Sequence, residues 1–434
     1  MERKDHEIEC GISRHCFRIV KRWLKGWGEI ILAKRLRMKY WLVVRRLKKV
    51  LGRRKKKVVF LVNESSKWKT QSLCDEMKRR GGYEVLIALS NADIDWRLPK
   101  NKRLVRMTEN KMFFEKRGFA TVVAYDIECE KAIPLSTFRP DIVFYQHPWG
   151  FPEEQMPRNV ASYALTCYVP YFVPTLGNPG MHLGQPVHKE VFRHFVLNRQ
   201  WADYYKSLCD KSVYAGEIVG LGHPMLDGLC VVAEDPGPDG LVIYAPHWSI
   251  PHPMLKSFLD LSTFLENGKF ILEYAKRHPE IHWAFKPHPT LKVTLVHIGV
   301  MSEAEVDSYY REWEGIGEAC YSGGYVDLFR RSRALITDCD SFLSEYACTQ
   351  KPIIHLISQV PNKRTYSPLQ PLFDTYYKVH DNRELLDMLE SVVVRREDVN
   401  RKKRLEELTK SGLVGASAAK NIVDHIEALL GVSR

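Results

Sequence analysis

The sequence lacks any apolar run long enough to cross a bilayer as a helix, which takes about 18 residues or more. Its ten cysteines form no C-x-x-C pair and no grouping with histidines at zinc-ligand spacing, so neither a disulfide framework nor a zinc site is indicated. The first residues are polar, and no small-residue cleavage site follows an apolar core, so no secretory signal is predicted. We therefore expect a protein of the reducing cytosol.

Several catalytic signatures are also missing. The sequence contains no Walker loop, no H-E-x-x-H, no G-x-S-x-G and no set of carboxylates at metal-ligand spacing. No resident metal is therefore expected. What is present is an ordinary globular composition of 434 residues, 45% hydrophobic and 27% charged. At about 150 residues per domain, this length predicts about two to three domains.

The net positive charge is confined to one end of the chain. Residues 1–57 contain 20 Lys and Arg against 5 Asp and Glu, whereas the remaining residues contain 45 against 47. A nucleic-acid enzyme normally carries its positive charge through the body of the protein. The near-neutral body therefore argues against nucleic-acid chemistry.

Within this basic segment, Phe17–Leu51 alternates apolar and basic residues at helical spacing, with Gly26 and Gly28 as possible breaks. A basic amphipathic helix that carries tryptophans fits the surface of an anionic membrane. Packing against the body or a partner, and binding to nucleic acid, are the alternatives. On the membrane hypothesis, residues 1–55 are expected to be dispensable for the fold.

From residue 57 onwards, strands alternate with helices. Apolar runs such as Lys57–Asn63 predict buried parallel strands, and the helical patterns between them predict βαβ units. Asp235–Gly240 predicts a linker, after which Leu241–Ala245 opens a second series. We predict an α/β fold with two Rossmann-like, doubly wound domains that face a cleft. The predicted boundaries are 1–56 for the helical extension, 57–234 and 241–380 for the two domains, and 381–434 for the closing helices.

Three motifs follow predicted strands of the second series, at the edge where doubly wound domains bind ligands. They are Tyr244–Ser249, Phe285–Pro289 and Thr337–Ser341. In the third motif a strand leads into a helix, whose unpaired N–H groups and positive dipole end favour phosphate. The alternative is ordinary helix capping by Asp340 or Ser341, with Glu345 one turn on either exposed or stabilising the helix.

Histidines accompany these motifs. His247 and His288 each follow a strand and are flanked by proline, and an imidazole can donate to phosphate or transfer a proton near neutral pH. Lys286 carries a charge suited to pyrophosphate. In the first domain, His147 also follows a strand and is placed to face the cleft from the opposite side. The alternative for each of these residues is a structural or merely solvated side chain.

Together these motifs resemble the CDP-glycerol glycerophosphotransferase family, the polymerases and primases of teichoic-acid-like polymers. Tyr244–Trp248 is similar to the family's Y-A-P-T-W, Lys286–Pro289 to its basic-x-His-Pro, and Thr337–Tyr346 to its T-D-Y-S-S-x-x-x-D-Y. Gly222–Asp227 (GHPMLD) also occurs in the family's order, although on its own it indicates a structural turn. The family's W-H-G is represented only by the altered run Gln146–Gly150, so the chain resembles a divergent member.

The resemblance implies a GT-B fold, with the nucleotide on the C-terminal domain and the acceptor on the N-terminal domain. It implies transfer of glycerol phosphate, or a similar alditol phosphate, from a CDP-activated donor to an acceptor hydroxyl, with release of CMP, in cell-surface polymer synthesis. The expected location is the inner face of the cell membrane. The expected partners are the donor, a membrane-associated or polysaccharide acceptor, and an anionic membrane surface bound by residues 1–56, without nucleic acid. No cofactor is implied, and a divalent ion is left open.

The resemblance and the motifs assign roles to individual residues. His147 is the expected general base and His247 the second candidate. The expected phosphate-binding residues are Lys286, His288, Thr337, Asp338, Asp340 and Ser341, with support from Trp248, Ser249 and Glu345. One alternative function is a GT-B glycosyltransferase that uses a nucleotide sugar and releases UDP or GDP. The other is a non-catalytic protein that binds membranes or nucleic acid.

Overall fold

The computed structural model describes residues 2–50, 52–90, 99–173, 183–229, 237–255, 260–321, 325–360, 368–415 and 417–432, with side chains of the first helix described from residue 26. Its helices alternate with the strands of two separate parallel sheets. The predicted linker Asp235–Gly240 begins outside the described residues, and its last part forms a short turn at Gly237–Asp239. Among the described residues, no helix combines the length and the apolar character needed to cross a membrane.

The first domain contains a parallel sheet of seven strands. The strands of this domain are β1 (Lys56–Val62), β2 (Tyr83–Leu89), β3 (Ala120–Val123), β6 (Ile142–Tyr145), β7 (Leu165–Tyr168), β8 (Arg193–Val196) and β9 (Glu217–Gly220), with a small antiparallel pair β4 (Tyr125–Asp126) and β5 (Lys131–Ala132). The order across the sheet is β3-β2-β1-β6-β7-β8-β9, so the chain starts near the middle and builds outward on both sides. β1 is almost entirely apolar and has helices on both faces, which explains its uninterrupted hydrophobic sequence.

The second domain repeats this arrangement with six parallel strands. They are β10 (Leu241–Ala245), β11 (Trp283–Phe285), β12 (Glu318–Ala319), β13 (Ser332–Thr337), β14 (Ile353–Leu356) and β15 (Tyr377–Val379). Their order across the sheet is β12-β11-β10-β13-β14-β15. The chain reverses direction across the sheet between β10 and β13, which is where doubly wound domains bind ligands. The prediction of two Rossmann-like domains is therefore confirmed.

The helices lie between the strands and at the two ends of the chain. Gln71–Arg80 shows how the sequence ends one of them, because Gly81 adopts a left-handed φ of 71° there. The α-helices are Glu2–Lys49, Gln71–Arg80, Lys100–Glu115, Pro157–Val160, Pro186–Glu190, Arg199–Leu208, Pro224–Asp227, Phe264–Arg277, Leu291–His297, Glu303–Ile316, Val326–Arg331, Asp340–Ala347, Gln370–Phe373, Asn382–Met388, Arg401–Ser411 and Ala418–Leu430.

The N-terminal segment is one continuous helix, Glu2–Lys49, which passes through Gly26 and Gly28 without a break. One face of its second half belongs to the core of the first domain, where Leu36 and Leu47 are at most 1% exposed. Tyr40 is also buried, and its hydroxyl contacts Thr166 Oγ1 at 2.5 Å and donates to the Glu190 carbonyl at 2.6 Å. The expectation that residues 1–55 are dispensable for the fold is therefore wrong, because this face supplies part of the first core.

The opposite face of the same helix is apolar and exposed. Trp27, Ile31, Met38, Trp41 and Leu42 are 47–60% exposed and recur at helical spacing. Exposed basic residues lie among them, and the Arg45 guanidinium lies 4.3 Å from the centroid of the Trp41 ring. We call this set of five residues the exposed stripe. The single amphipathic stripe predicted from the sequence is thus divided between two faces, one packed and one open.

The last helix, Ala418–Leu430, returns to the first domain. Ile422 and Ile426 join the core of that domain, and Arg80 pairs with Asp424 and Glu427 at 2.6 Å each. This return connects the end of the chain to the domain in which the chain begins.

Candidate functional site

The candidate site lies where β10, β11 and β13 end. Tyr244 pairs with Phe285, and Ala245 pairs with Thr337, so all three strands end at one edge of the sheet. The three sequence motifs leave the sheet at this edge. The structure therefore brings together the predicted residues of the second domain.

Asp338 organises the loops of this edge. One of its carboxylate oxygens accepts from the His247 main-chain N–H at 2.6 Å, and the other accepts from the Thr263 N–H at 2.7 Å and its hydroxyl at 3.1 Å. Burial raises the pKa of Asp338 to about 7, and these donors act in the opposite direction. Both oxygens thus accept from protein donors that position the neighbouring loops, and the phosphate contact expected from the sequence stays a prediction.

Thr337 also supports the backbone. Its hydroxyl donates to the Ala245 carbonyl at 2.7 Å and accepts from the Cys339 N–H at 3.0 Å. These two bonds fix the turn from β13 into the helix Asp340–Ala347. We call the first turn of this helix the phosphate cradle. Thr337 thus holds the cradle in place from inside the fold.

The hydrogen bonds of His247 define its tautomer. Its Nδ1 lies 2.8 Å from Ser249 Oγ and accepts from the Ser249 N–H at 3.2 Å. Ser249 Oγ accepts from the Leu261 N–H at 3.1 Å, which leaves its own proton for Nδ1. The neutral ring therefore carries its proton on Nε2. His247 acts as a donor in this geometry, and Ser249 sets its orientation.

His288 has the same arrangement. Its Nδ1 accepts from the Thr290 N–H at 3.2 Å and lies 2.8 Å from the Thr290 hydroxyl, so Nε2 carries the proton. Burial, followed by the charge of Lys286, lowers the pKa of His288 to about 4. The ring centroids of His247 and His288 are 5.1 Å apart. Two Nε2–H donors therefore lie side by side, with the Trp248 ring 5.7 Å from His247 and 6.1 Å from His288.

Lys286 supplies the positive charge of this group. It is 5% exposed, and burial lowers its pKa. Within the described ranges its ammonium makes no ion pair. A buried charge without a partner is costly, so this position favours an anionic ligand.

The helix Asp340–Ala347 begins at Cys339 without a side-chain cap in the described part of the chain. Ser341 Oγ lies 3.4 Å from Cys339 Sγ, and Asp340 is 6% exposed. Cys339 rather than Asp340 or Ser341 stands at the N-cap position, so the ordinary capping explanation of the motif does not apply. The N-cap side chain therefore does not occupy the N–H groups of the first turn, as an anion site requires.

His147 follows β6 in the first domain and is fully buried. Its ring centroid lies 4.9 Å from that of Tyr171, and neither ring nitrogen has a hydrogen-bond partner among the described residues. Burial, followed by the charge of Lys67, lowers its pKa to about 3. The ring is therefore neutral and holds one unprotonated nitrogen. A hydroxyl reaches that nitrogen only when the covering side chains move, so the role as base stays a prediction.

Sequence reasoning missed Lys69 and Tyr325 in this region. Lys69 of the first domain donates to the Tyr325 hydroxyl of the second domain at 2.8 Å, and Tyr325 is hydrogen-bonded to Glu345. Glu345 is 1% exposed, so it does not lie at the surface, and its contact with Tyr325 gives it a role beyond stabilising its own helix. The available signal was weak, since Lys69 simply follows the end of β1 in a polar stretch.

The motif Gly222–Asp227 is structural. His223 Nε2 donates to the Pro170 carbonyl at 2.8 Å, and its Nδ1 accepts from the Met225 N–H at 3.3 Å. Asp227 accepts from the main-chain N–H groups of Ala418 and Ala419 at 2.7 and 2.9 Å, which caps the last helix. This agrees with the structural turn expected from the motif alone.

Comparison with solved structures identifies the fold. The wall teichoic acid polymerase TagF, as a histidine-to-asparagine variant, aligns with a TM-score of 0.55 and 12% identity over 95% of this chain and 98% of that chain. A Neisseria meningitidis UDP-GlcNAc 2-epimerase bound to UDP-GlcNAc aligns at 0.54 and 11%, over 86% and 100%. S. aureus MnaA with UDP aligns at 0.52 and 11%, over 87% and 98%.

No family model matches the chain, and no curated protein sequence matches it. At these identities the structural similarity shows a two-domain GT-B-like fold. The reaction has to be argued from the site itself.

Proposed function

We propose that this protein transfers an alditol phosphate, such as glycerol phosphate, from a CDP-activated donor to an acceptor hydroxyl and releases CMP. The observation that carries the proposal is the convergence of Lys286, two Nε2–H donor histidines and an uncapped helix N-terminus at one sheet edge. Such a set of donors matches the oxygens of a pyrophosphate. The sequence motifs and the similarity in fold to TagF support the choice of donor.

In the proposed reaction, the acceptor oxygen attacks the phosphorus that bears the alditol. A new P–O bond forms, the bond from that phosphorus to the CMP oxygen breaks, and CMP leaves with the electron pair. Lys286 and the Nε2–H groups of His247 and His288 stabilise the charge on the phosphoryl oxygens. His147 takes the proton of the acceptor hydroxyl once the side chains that cover its ring have moved aside.

The exposed stripe supports the proposed membrane partner. Its two tryptophans and three other apolar side chains lie among basic residues on the open face of the first helix. This composition suits the boundary of an anionic bilayer, and peripheral binding there brings the cleft to a membrane-associated acceptor. Trp41→Ser is expected to reduce co-sedimentation with phosphatidylglycerol vesicles. Tyr40→Phe, one residue earlier on the buried face, is the matched control and is expected to bind them normally.

The donor is identified by binding and product analysis. CDP-glycerol at 100 times its dissociation constant is expected to stabilise the protein by about 2.7 kcal/mol in thermal denaturation, and turnover is expected to release CMP. UDP-GlcNAc is the comparison ligand, because two structures of similar fold contain UDP or UDP-GlcNAc. Stabilisation by UDP-GlcNAc alone, with release of UDP, would instead establish a nucleotide-sugar enzyme and contradict the proposal.

A further inference from the structure

Lys69 reaches across the cleft from the first domain. Its main-chain N–H donates to Gln146 Oε1 at 3.1 Å, which anchors its segment beside the end of β6. Its ammonium donates to the Tyr325 hydroxyl at 2.8 Å and lies 4.4 Å from the centroid of that ring. Tyr325 belongs to the second domain and directly precedes the helix Val326–Arg331. The side chain thus spans the two walls of the candidate site.

A second hydrogen bond fixes the direction of this contact. The Tyr325 hydroxyl donates its single proton to Glu345 Oε2. It therefore accepts from Lys69, which has only donors. Glu345 is buried on the helix Asp340–Ala347, whose N-terminus is the proposed phosphate cradle. Lys69, Tyr325 and Glu345 form a chain from one domain to the cradle helix of the other.

Two lysine side chains lie near each other at this chain. Burial lowers the pKa of Lys69, Glu345 opposes this change, and the nearby charge of Lys286 adds to it. Glu345 is thus the carboxylate that acts on Lys69, while the Asp338 carboxylate accepts from His247 and Thr263. An anion between the two lysines would reduce the repulsion between them.

We infer that Lys69 is a substrate-binding residue that contacts a phosphoryl oxygen of the donor from the wall opposite the cradle helix, and that Tyr325 and Glu345 are positioning residues that hold it there. The inference rests on the proposed function, since it requires a donor with a pyrophosphate. It makes the first domain part of the donor site. Donor binding then joins the two domains through Lys69.

The competing explanation is that Lys69 only holds the two domains together, which we call a strut. The two explanations predict different effects of Glu345→Gln on anion binding. Lys69→Met removes the contact to phosphate, so it weakens donor binding. Glu345→Gln keeps an oxygen that accepts from Tyr325 but removes the negative charge beside Lys69, so it strengthens the binding of an anion. For a strut, both substitutions weaken the interface between the domains, and neither improves binding.

The experiment measures binding of CDP and of inorganic pyrophosphate to the full-length protein by calorimetry at pH 8 and low salt. Lys69→Met is expected to lower CDP affinity by about 10- to 100-fold, the effect of losing a hydrogen bond to a charged group. Lys69→Arg is expected to restore part of it, and Glu345→Gln to raise it. Lys57→Met is the matched control, because Lys57 pairs with Glu84 at the surface. Thermal denaturation verifies that each variant is folded.

Each result has a defined meaning. If the wild type binds neither CDP nor pyrophosphate, the proposed function fails, and the inference falls with it. If it binds pyrophosphate but not CDP, the cytidine donor is wrong, and Lys69 is judged on pyrophosphate. If the wild type binds and folded Lys69→Met binds equally well, or if Glu345→Gln weakens binding as Lys69→Met does, Lys69 is a strut and the inference is overturned. Should Lys69→Met fail to fold, Lys69→Arg and Glu345→Gln decide the question.

Discussion

The first helix has a packed face and an open face, and the same substitution on each face separates their roles. Leu47 is fully buried in the core of the first domain, whereas Leu42, on the same helix, is 53% exposed. Leu47→Ala leaves a cavity in this core and is expected to lower the free energy of unfolding by about 2–5 kcal/mol. Leu42→Ala creates no cavity and is expected to change it by about 0.5 kcal/mol or less.

Urea denaturation, followed by circular dichroism, measures both variants against the wild type. Vesicle binding provides the complementary assay, in which Leu42→Ala is expected to weaken association with anionic vesicles while folded Leu47→Ala retains it. Equal loss of stability in the two variants would refute the division into two faces. An unchanged unfolding midpoint for Leu47→Ala would show that the helix does not belong to the core and would restore the view of a dispensable extension.

Three further predictions follow from the histidines. His288→Ala is expected to lower CDP affinity by about 10- to 100-fold, measured by calorimetry, because a donor to a charged phosphate is lost; an unchanged affinity would place the phosphates elsewhere. His147→Ala is expected to retain CDP affinity but to lower CMP release by about 10²–10⁴-fold; normal turnover would make His147 structural. His194 is buried without a side-chain hydrogen bond in the described ranges, and burial lowers its pKa to about 3, so the unfolded state binds more protons below about pH 6.5. Stability is therefore expected to fall with decreasing pH by up to about 1.4 kcal/mol per unit from this residue, and His194→Phe, compared by thermal denaturation from pH 7 to 5, should reduce the slope accordingly.

Much of the fold could be predicted because its strands are buried on both faces. Leu241–Ala245 was predicted with its observed bounds, and the predicted Lys57–Asn63 is shifted by one residue from the observed Lys56–Val62. The N-terminal helix was harder, since periodicity identifies apolar faces but not their neighbours. Tyr40 and Trp41 are adjacent in sequence and equally suited to a membrane or a core, and only the packed structure separates them.

The site was predictable to the extent that it is local. His247, His288 and Lys286 follow strands whose parallel order brings their ends together, and sequence spacing is enough to group them. Sequence does not show which of them bind a ligand and which hold the others. Lys69 and Glu345 meet through Tyr325 across two domains, and no periodic pattern links positions so far apart in the chain.

Cys339 and Asp340 stand where the pattern T-D-Y-S-S-x-x-x-D-Y has Tyr and Ser, and these departures become understandable once the structure shows how the cradle is built. Its shape depends on Thr337 and Asp338, whose side chains fix the turn from β13 and the neighbouring loops by hydrogen bonds. The ligand contact proposed for the first turn of the helix comes from main-chain N–H groups, which every residue except proline supplies. Side chains at these positions can therefore change while the binding groups stay. By the same reasoning, a residue in the first turn contributes through its backbone, whereas Thr337 and Asp338, which precede the N-cap residue Cys339, contribute through their side chains.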